Sequence, residues 1–203
     1  SQAPKSVFDS KGMVASRSAI ASEVGAKILA SGGNAIDAAV SVGFALAVTY
    51  PSAGNLGGGG FMVIRLADGQ VVANDHREKA PGKATRDMYL DVNGEIVDGI
   101  STKSHLASGV PGTVAGLIDV LEAYGSMELV EVIQPAIDLA RDGFILDEDL
   151  AGQFNRRLES FSKYPASLEV FSSDGEPYET GDRFSQPDLA LSLIHISEPT
   201  RHE

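Results

Sequence analysis

The chain has 203 residues, 43% of them hydrophobic, enough for one sizeable core and consistent with one domain or part of a larger one. A formal net charge of -12 repels phosphate backbones and anionic lipid, which excludes nucleic acid and membrane surfaces as partners of this piece. The absence of cysteine excludes disulfides, thiolate metal sites and a cysteine nucleophile.

The opening Ser1-Gln2-Ala3-Pro4-Lys5-Ser6 holds no apolar run, so any secretory signal is expected to have been removed or never present. From Ser18 to Ser31, Ile20, Val24 and Ile28 recur at helical spacing, and Gly32-Gly33 can end the helix in a left-handed conformation. Asn34 stands where an N-cap belongs, and Asp37 in the following turn favours the positive end of a helix dipole. The second helix runs to about Thr49 and stops at Pro51. It is apolar almost all round (Ile36, Ala39, Val40, Phe44, Ala47, Val48), which predicts a helix enclosed between layers. The apolar stretch from Ala35 to Tyr50 is interrupted by Asp37 and Ser41 and is shorter than the ~20 residues a bilayer span requires.

Phe61 to Leu66 and Val71 to Asp75 flank Asp68-Gly69 and predict an antiparallel hairpin. Asn93-Gly94 marks another tight turn, and its surroundings lack the liganding spacing of a calcium loop. Val114, Leu117, Ile118 and Leu121 form a helical face after Pro111-Gly112-Thr113, closed by Gly125. Val132 to Arg141 and Leu150 to Leu158 predict two more helices, with Pro135 either in a first turn or at a kink. Residues 164–186 are rich in turn formers and read as a surface excursion. The order implies an α+β architecture with helices on the faces of an antiparallel sheet. Two strands do not make a stable sheet alone, so most of that sheet is expected from elsewhere, and the domain is incomplete.

The most informative stretch is Asn55-Leu56-Gly57-Gly58-Gly59-Gly60-Phe61-Met62, followed by Arg77 in Asp75-His76-Arg77-Glu78-Lys79-Ala80-Pro81. Four successive glycines are costly to order, so close backbone approach or unusual dihedrals must compensate. A P-loop needs Lys-Ser/Thr after its last glycine, whereas Phe61 and Met62 follow here. A dinucleotide fingerprint follows a strand and opens a helix, whereas this run precedes a strand. Arg77 is the foremost candidate for binding chemistry, because its planar fork grips a carboxylate with two parallel charge-assisted bonds that lysine cannot reproduce. The competing local reading pairs Arg77 with Asp75 or Glu78 at the surface. No Gly-x-Ser-x-Gly elbow and no zinc-spaced histidine pair occurs. His76 and Ser104-His105 read as structural, as does Ser108 in the turn before Thr113. No complete catalytic constellation is present.

Taken together, Gly12 to Ser16, Gly32 to Ala39, Asn55 to Met62, Arg77 to Pro81 and Ser104 to Gly116 resemble the gamma-glutamyltransferase family. In order and spacing they are similar to the amino-terminal part of its large chain, most like the bacterial type, from about Lys11 to Ala190. The resemblance implies an incomplete part of an αββα four-layer N-terminal-nucleophile hydrolase sandwich, made as a precursor that cuts itself into large and small chains. It also implies a threonine at the start of the small chain that attacks the gamma-glutamyl amide of glutathione or related donors. Water or an acceptor amino acid or peptide then takes the glutamyl group, with backbone amides of the small chain holding the oxyanion. By the same resemblance, Arg77 holds the α-carboxylate of the glutamyl group, no cofactor or metal is required, and the location is periplasmic or extracellular. The sibling reading is a cephalosporin or glutaryl acylase of the same superfamily; a non-catalytic binding module is the reading from a different class.

Two departures limit the likeness. No Thr-Thr or Thr-Ser dipeptide occurs, so the catalytic threonine is expected outside this chain, which by itself should be inactive. Positions 191–203, beginning Leu191-Ser192-Leu193-Ile194-His195, resemble translated adaptor or vector sequence, leaving 1–190 as the family segment.

Overall fold

The computed structural model describes residues 8–198; the readings of Ser1 to Ser6 and of positions 199–203 fall outside them. The first helix, α1, spans Ala19–Ala30, and its Ser18 hydroxyl accepts from the Ala21 amide. Ala21, Val24, Gly25 and Ile28 form its buried stripe, and Gly32 leaves the helix at φ 99°.

Helix α2, Ala35–Thr49, begins in a capping box: Asn34 Oδ1 accepts from the Ile36 and Asp37 amides, and the Asn34 amide donates to Asp37 Oδ2 at 2.7 Å. Asp37 does more than complement the helix dipole. It is fully buried and also accepts from the Ser126 amide and hydroxyl and from the Met127 amide. Burial works against its charge, but the Ser126 hydroxyl and the backbone amides overcome that and hold the carboxyl below its ordinary range. Val40, Phe44 and Val48 are fully buried, and α2 packs against α1, α4 (Thr113–Tyr124) and α5 (Leu129–Asp142), as an all-round apolar helix requires.

Strands β1, Phe61–Arg65, and β2, Val71–Asp75, pair antiparallel with Phe61 opposite Asp75 and Arg65 opposite Val71. Gly69 makes the turn at φ 91°. Ile64, Met62 and Val72 lie against the helices, while Phe61, Val63 and Val71 are 62 to 75% exposed on the other face. An apolar sheet face without a covering layer is half of a sandwich.

Between β2 and α4 the chain makes a long excursion that holds the short helix α3, Ile100–Lys103, a 3-10 turn at His105–Ala107, and the Asn93-Gly94 turn. There Asp91 Oδ1 accepts from the Asn93 and Glu95 amides, so this carboxylate closes a turn. The stripe of α4 is Gly116, Leu117, Val120 and Leu121, rotated slightly from the expected face so that Val120 is inside and Ile118 only half-buried. Pro135 stands in the second turn of α5, and the helix continues through it with Val132, Ile133, Ala136, Ile137 and Ala140 buried.

The carboxy-terminal third departs most from expectation. The helix expected from Leu150 to Leu158 breaks at Arg156-Arg157 into α6, Glu148–Asn155, and α7, Leu158–Phe161. Residues 164–186 are not a mere excursion: they form α8, Pro165–Phe171, and β4, Arg183–Phe184, which pairs antiparallel with β3, Phe144–Ile145. Phe184 is fully buried with its ring 5.0 Å from that of Phe154 and 5.8 Å from that of Phe144. The buried Gln186 Nε2 donates to the Val48 carbonyl, tying this layer to the end of α2. Helix α9, Pro187–Ser197, packs on α5 and buries Ala190 and Leu193. The result is a mixed helix and sheet architecture around α2.

Candidate active-site segment

Strand β2 delivers the chain into His76 and Arg77, and the glycine loop explains itself there. Gly60 exchanges both backbone hydrogen bonds with His76, extending the hairpin by one pair. A β-carbon placed at Gly59 would stand 2.5 Å from the His76 carbonyl oxygen and 2.7 Å from the Glu78 amide nitrogen. Real β-carbons do not approach backbone that closely, so only glycine fits. The start of α4 packs as closely on His76. A β-carbon at Gly112 would collide with the His76 carbonyl oxygen, and one at Gly116 with the His76 ring. The Gly112 and Thr113 amides both donate to the Gly58 carbonyl, at 2.8 and 3.0 Å, joining loop to helix across the strand end. Lys79 and Val110 then exchange backbone hydrogen bonds. His76 and Arg77 are thus held in a clamp of backbone, with His76 Nδ1 2.7 Å from Asn74 Oδ1.

The clamp fixes the backbone of Arg77 and leaves its side chain 68% exposed. Asp75 does not pair with the guanidinium; its carboxylate accepts the Arg77 backbone amide at 3.0 Å. Glu78 Oε2 lies 3.6 Å from Nε, a loose single contact between exposed groups that contributes about 0 to 1 kcal/mol. The guanidinium carbon sits 6.0 Å from the Phe61 ring centroid, the outer limit of a cation-π contact. No carboxylate among the described residues engages both prongs of the fork. The geometry therefore offers a fixed base, an adjoining apolar sheet face and an exposed guanidinium that meets Glu78 through Nε, as the local reading allows, and leaves both Nη groups without an ion pair among the described residues. A cavity of about 320 Å³ is lined by Gly58, Gly59, Phe61, His76, Glu78 and Thr113, and Arg77 is not in its wall.

The other polar candidates are separate. His105 and Ser108 are exposed, and the Ser104 hydroxyl donates to the Ile100 carbonyl and accepts from the Leu106 amide. None of them adjoins a base or forms a nucleophile pair. Sequence reasoning did not connect Gly112 and Gly116 with the glycine loop; their spacing of one helical turn, just after Pro111, was the available signal.

Residues 21–203 match the family model described as gamma-glutamyltranspeptidase. A glutathione hydrolase proenzyme of Escherichia coli (strain K12) is 53% identical over 189 residues, covering 93% of this chain and 33% of the relative. An acylase ACY 1 proenzyme of Pseudomonas sp. (strain V22) is 40% identical over 199 residues, covering 95% of this chain and 36% of the relative. The crystal structure of Helicobacter pylori gamma-glutamyltranspeptidase superposes with a TM-score of 0.90 at 48% identity, over 96% of this chain and 56% of that one. The chain spans about a third of the length of the curated relatives it matches. It belongs to the gamma-glutamyltranspeptidase family, as the five ordered motifs from Gly12 to Gly116 indicate.

Proposed function

We propose that this chain is the donor-carboxylate side of an enzyme that cleaves the gamma-glutamyl amide of glutathione and related compounds and passes the glutamyl group to water or to an amino acid or peptide. The observation that carries the reading is the Arg77 fork, held at its backbone by Gly59 and Gly112 yet unengaged at its tip. In this reading Arg77 grips the α-carboxylate of the donor bidentately, through bonds of about 1.5 to 3 kcal/mol each. That anchoring sets the distance from the α-carbon to the gamma amide, so the scissile carbonyl is presented to a nucleophile at a fixed position.

The nucleophile is a threonine at the head of a small chain cut from the same precursor, its own amino group taking the proton. The uncovered face of Phe61, Val63 and Val71 supports a second layer supplied by that partner. Positions 1–190 are the amino-terminal part of the large chain, 191–203 are foreign sequence, and the mature enzyme works in the periplasm or outside the cell. Genomic sequence past codon 190 checks these three statements together: a threonine-led segment downstream and a signal peptide upstream are expected, and native coding continuous through 203 would remove the foreign-tail reading.

A second reading has a specific observation in its favour, the 40% identity to an acylase proenzyme. An acylase would keep the clamp and place a different acyl group against Arg77. Turnover of gamma-glutamyl against acylase donors by the complete precursor separates the readings, and Arg77→Lys tests the fork, since it keeps the charge and removes the planar pair of donors. The expected result is a donor KM raised by about 10 to 100-fold with self-cleavage intact. Unchanged kinetics with gamma-glutamyl donors would remove Arg77 from the site.

A further inference from the structure

A second polar concentration lies where α6 breaks. Because α6 ends at Asn155, the consecutive Arg156 and Arg157 sit between two helices, and both side chains are exposed. With Arg17 they line a cleft of about 420 Å³, within the size range of small-ligand sites. Asp149 is the one carboxylate lining it among the described residues. That carboxylate is already taken: Arg17 Nη2 donates to it at 2.8 Å and Gln153 Nε2 at 3.1 Å, and the Arg17 guanidinium carbon stands 5.6 Å from the Tyr50 ring centroid. The Ser52 hydroxyl donates to Gln153 Oε1 and completes this network. Arg156 and Arg157 form no ion pair among the described residues, so two unpaired guanidiniums stand beside the Arg17–Asp149 ion pair in a chain of strongly negative charge.

The same wall opens onto an apolar compartment. Ser52, Gln153 and Arg157 also line a cavity of about 190 Å³ whose other walls are Pro51, Phe154, Phe161 and Phe171. The Phe161 and Phe171 rings stack with centroids 5.1 Å apart, and both are only half-buried. An apolar cavity of about 150 Å³ suffices for one benzene ring, so one aryl or short alkyl group fits. The two compartments share Ser52, Gln153 and Arg157, so one planar cation lines both the polar cleft and the aromatic slot.

We propose that this cleft binds a small amphipathic carboxylate, with its aryl or alkyl group against Phe154, Phe161 and Phe171 and its acid group on Arg156 and Arg157. Charge complementarity selects an anion, the guanidinium fork selects a planar acid group, and the aromatic compartment demands an apolar tail. None of the residues named belongs to the Arg77 clamp, so the site is separate from the one in which the donor is proposed to bind.

Calorimetric titration of the full-length protein with 3-phenylpropionate, 3-phenylpropanol and acetate tests it. Saturable binding of one 3-phenylpropionate per chain is expected, at least about tenfold tighter than the uncharged alcohol or the ringless acid. The double variant Arg156→Ala/Arg157→Ala, altered only at exposed side chains, should keep the melting temperature and weaken binding about tenfold or more. Absence of saturable binding, equal binding of acid and alcohol, or undiminished binding by the double variant would overturn the proposal. So would loss of binding in Arg77→Lys, which would show that the acid had occupied the donor position instead.

Discussion

Lysine in place of Arg77 retains a positive charge but loses the flat pair of donors, and so probes the fork alone. The clamp beneath it is tested separately by Gly112→Ala. The new methyl group would overlap the His76 carbonyl, which belongs to backbone and cannot swing aside. Overpacking of this kind costs about 1 to 3 kcal/mol, and moving the His76 carbonyl displaces Arg77 with it. A lower melting temperature together with a raised donor KM is expected of the complete enzyme. Gly82→Ala is the control, because a β-carbon there meets nothing within 4 Å. If both variants melt and turn over alike, the clamp does not constrain Arg77. At this scale the sequence calls for close backbone approach or unusual dihedrals in the glycine run, but does not say which or where; the structure shows close backbone approach at Gly59. Gly59 and Gly112 are far apart in the chain, and only the fold brings both against the His76 carbonyl.

Caps and periodicity made the elements legible, because each signal acts within a turn or two of chain. Ser18, Asn34, Asp68-Gly69 and Gly125 all stand where a start, a turn or a stop was expected. The misreadings came where tertiary burial overrode local composition. Asp174-Gly175 and Thr180-Gly181-Asp182 are turn formers, yet they flank the half-buried Tyr178 and the fully buried Phe184, whose rings lie 5.9 Å apart. Local sequence assigns Asp37 to the helix dipole alone, whereas its larger task is to hold the connection between α4 and α5 onto α2. That task carries a pH signature. The folded carboxyl titrates below its unfolded value, so its stabilisation is fully present above the unfolded value and is lost as pH falls through the folded one. Asp37→Asn should lower stability at neutral pH and flatten the acid limb of the unfolding profile, measured by denaturant titration at a series of pH values. An acid limb of unchanged steepness would assign that linkage to other carboxylates.

At the scale of the whole molecule, the hairpin presents one finished face and one unfinished face. Phe61, Val63 and Val71 are too apolar and too exposed for a sheet that ends in water, and the chain covers only 33% of its Escherichia coli relative. Val63→Asp in the complete precursor should leave the helical side of the hairpin intact and hinder packing of the second layer. A smaller cleaved fraction on a denaturing gel is the expected outcome; full cleavage would show that this face does not contact the processed partner. The sequence by itself determined the two-helix opening, the hairpin, the mixed architecture and the family, because local signals and ordered motifs survive without long-range information. Only the tertiary structure decided which glycine meets which carbonyl, that Asp37 reaches Ser126, that Phe184 is a core residue, and that Arg77 meets Glu78 through Nε alone. Those outcomes depend on how distant segments share space, and the spacing of residues along a single strand or helix does not encode that.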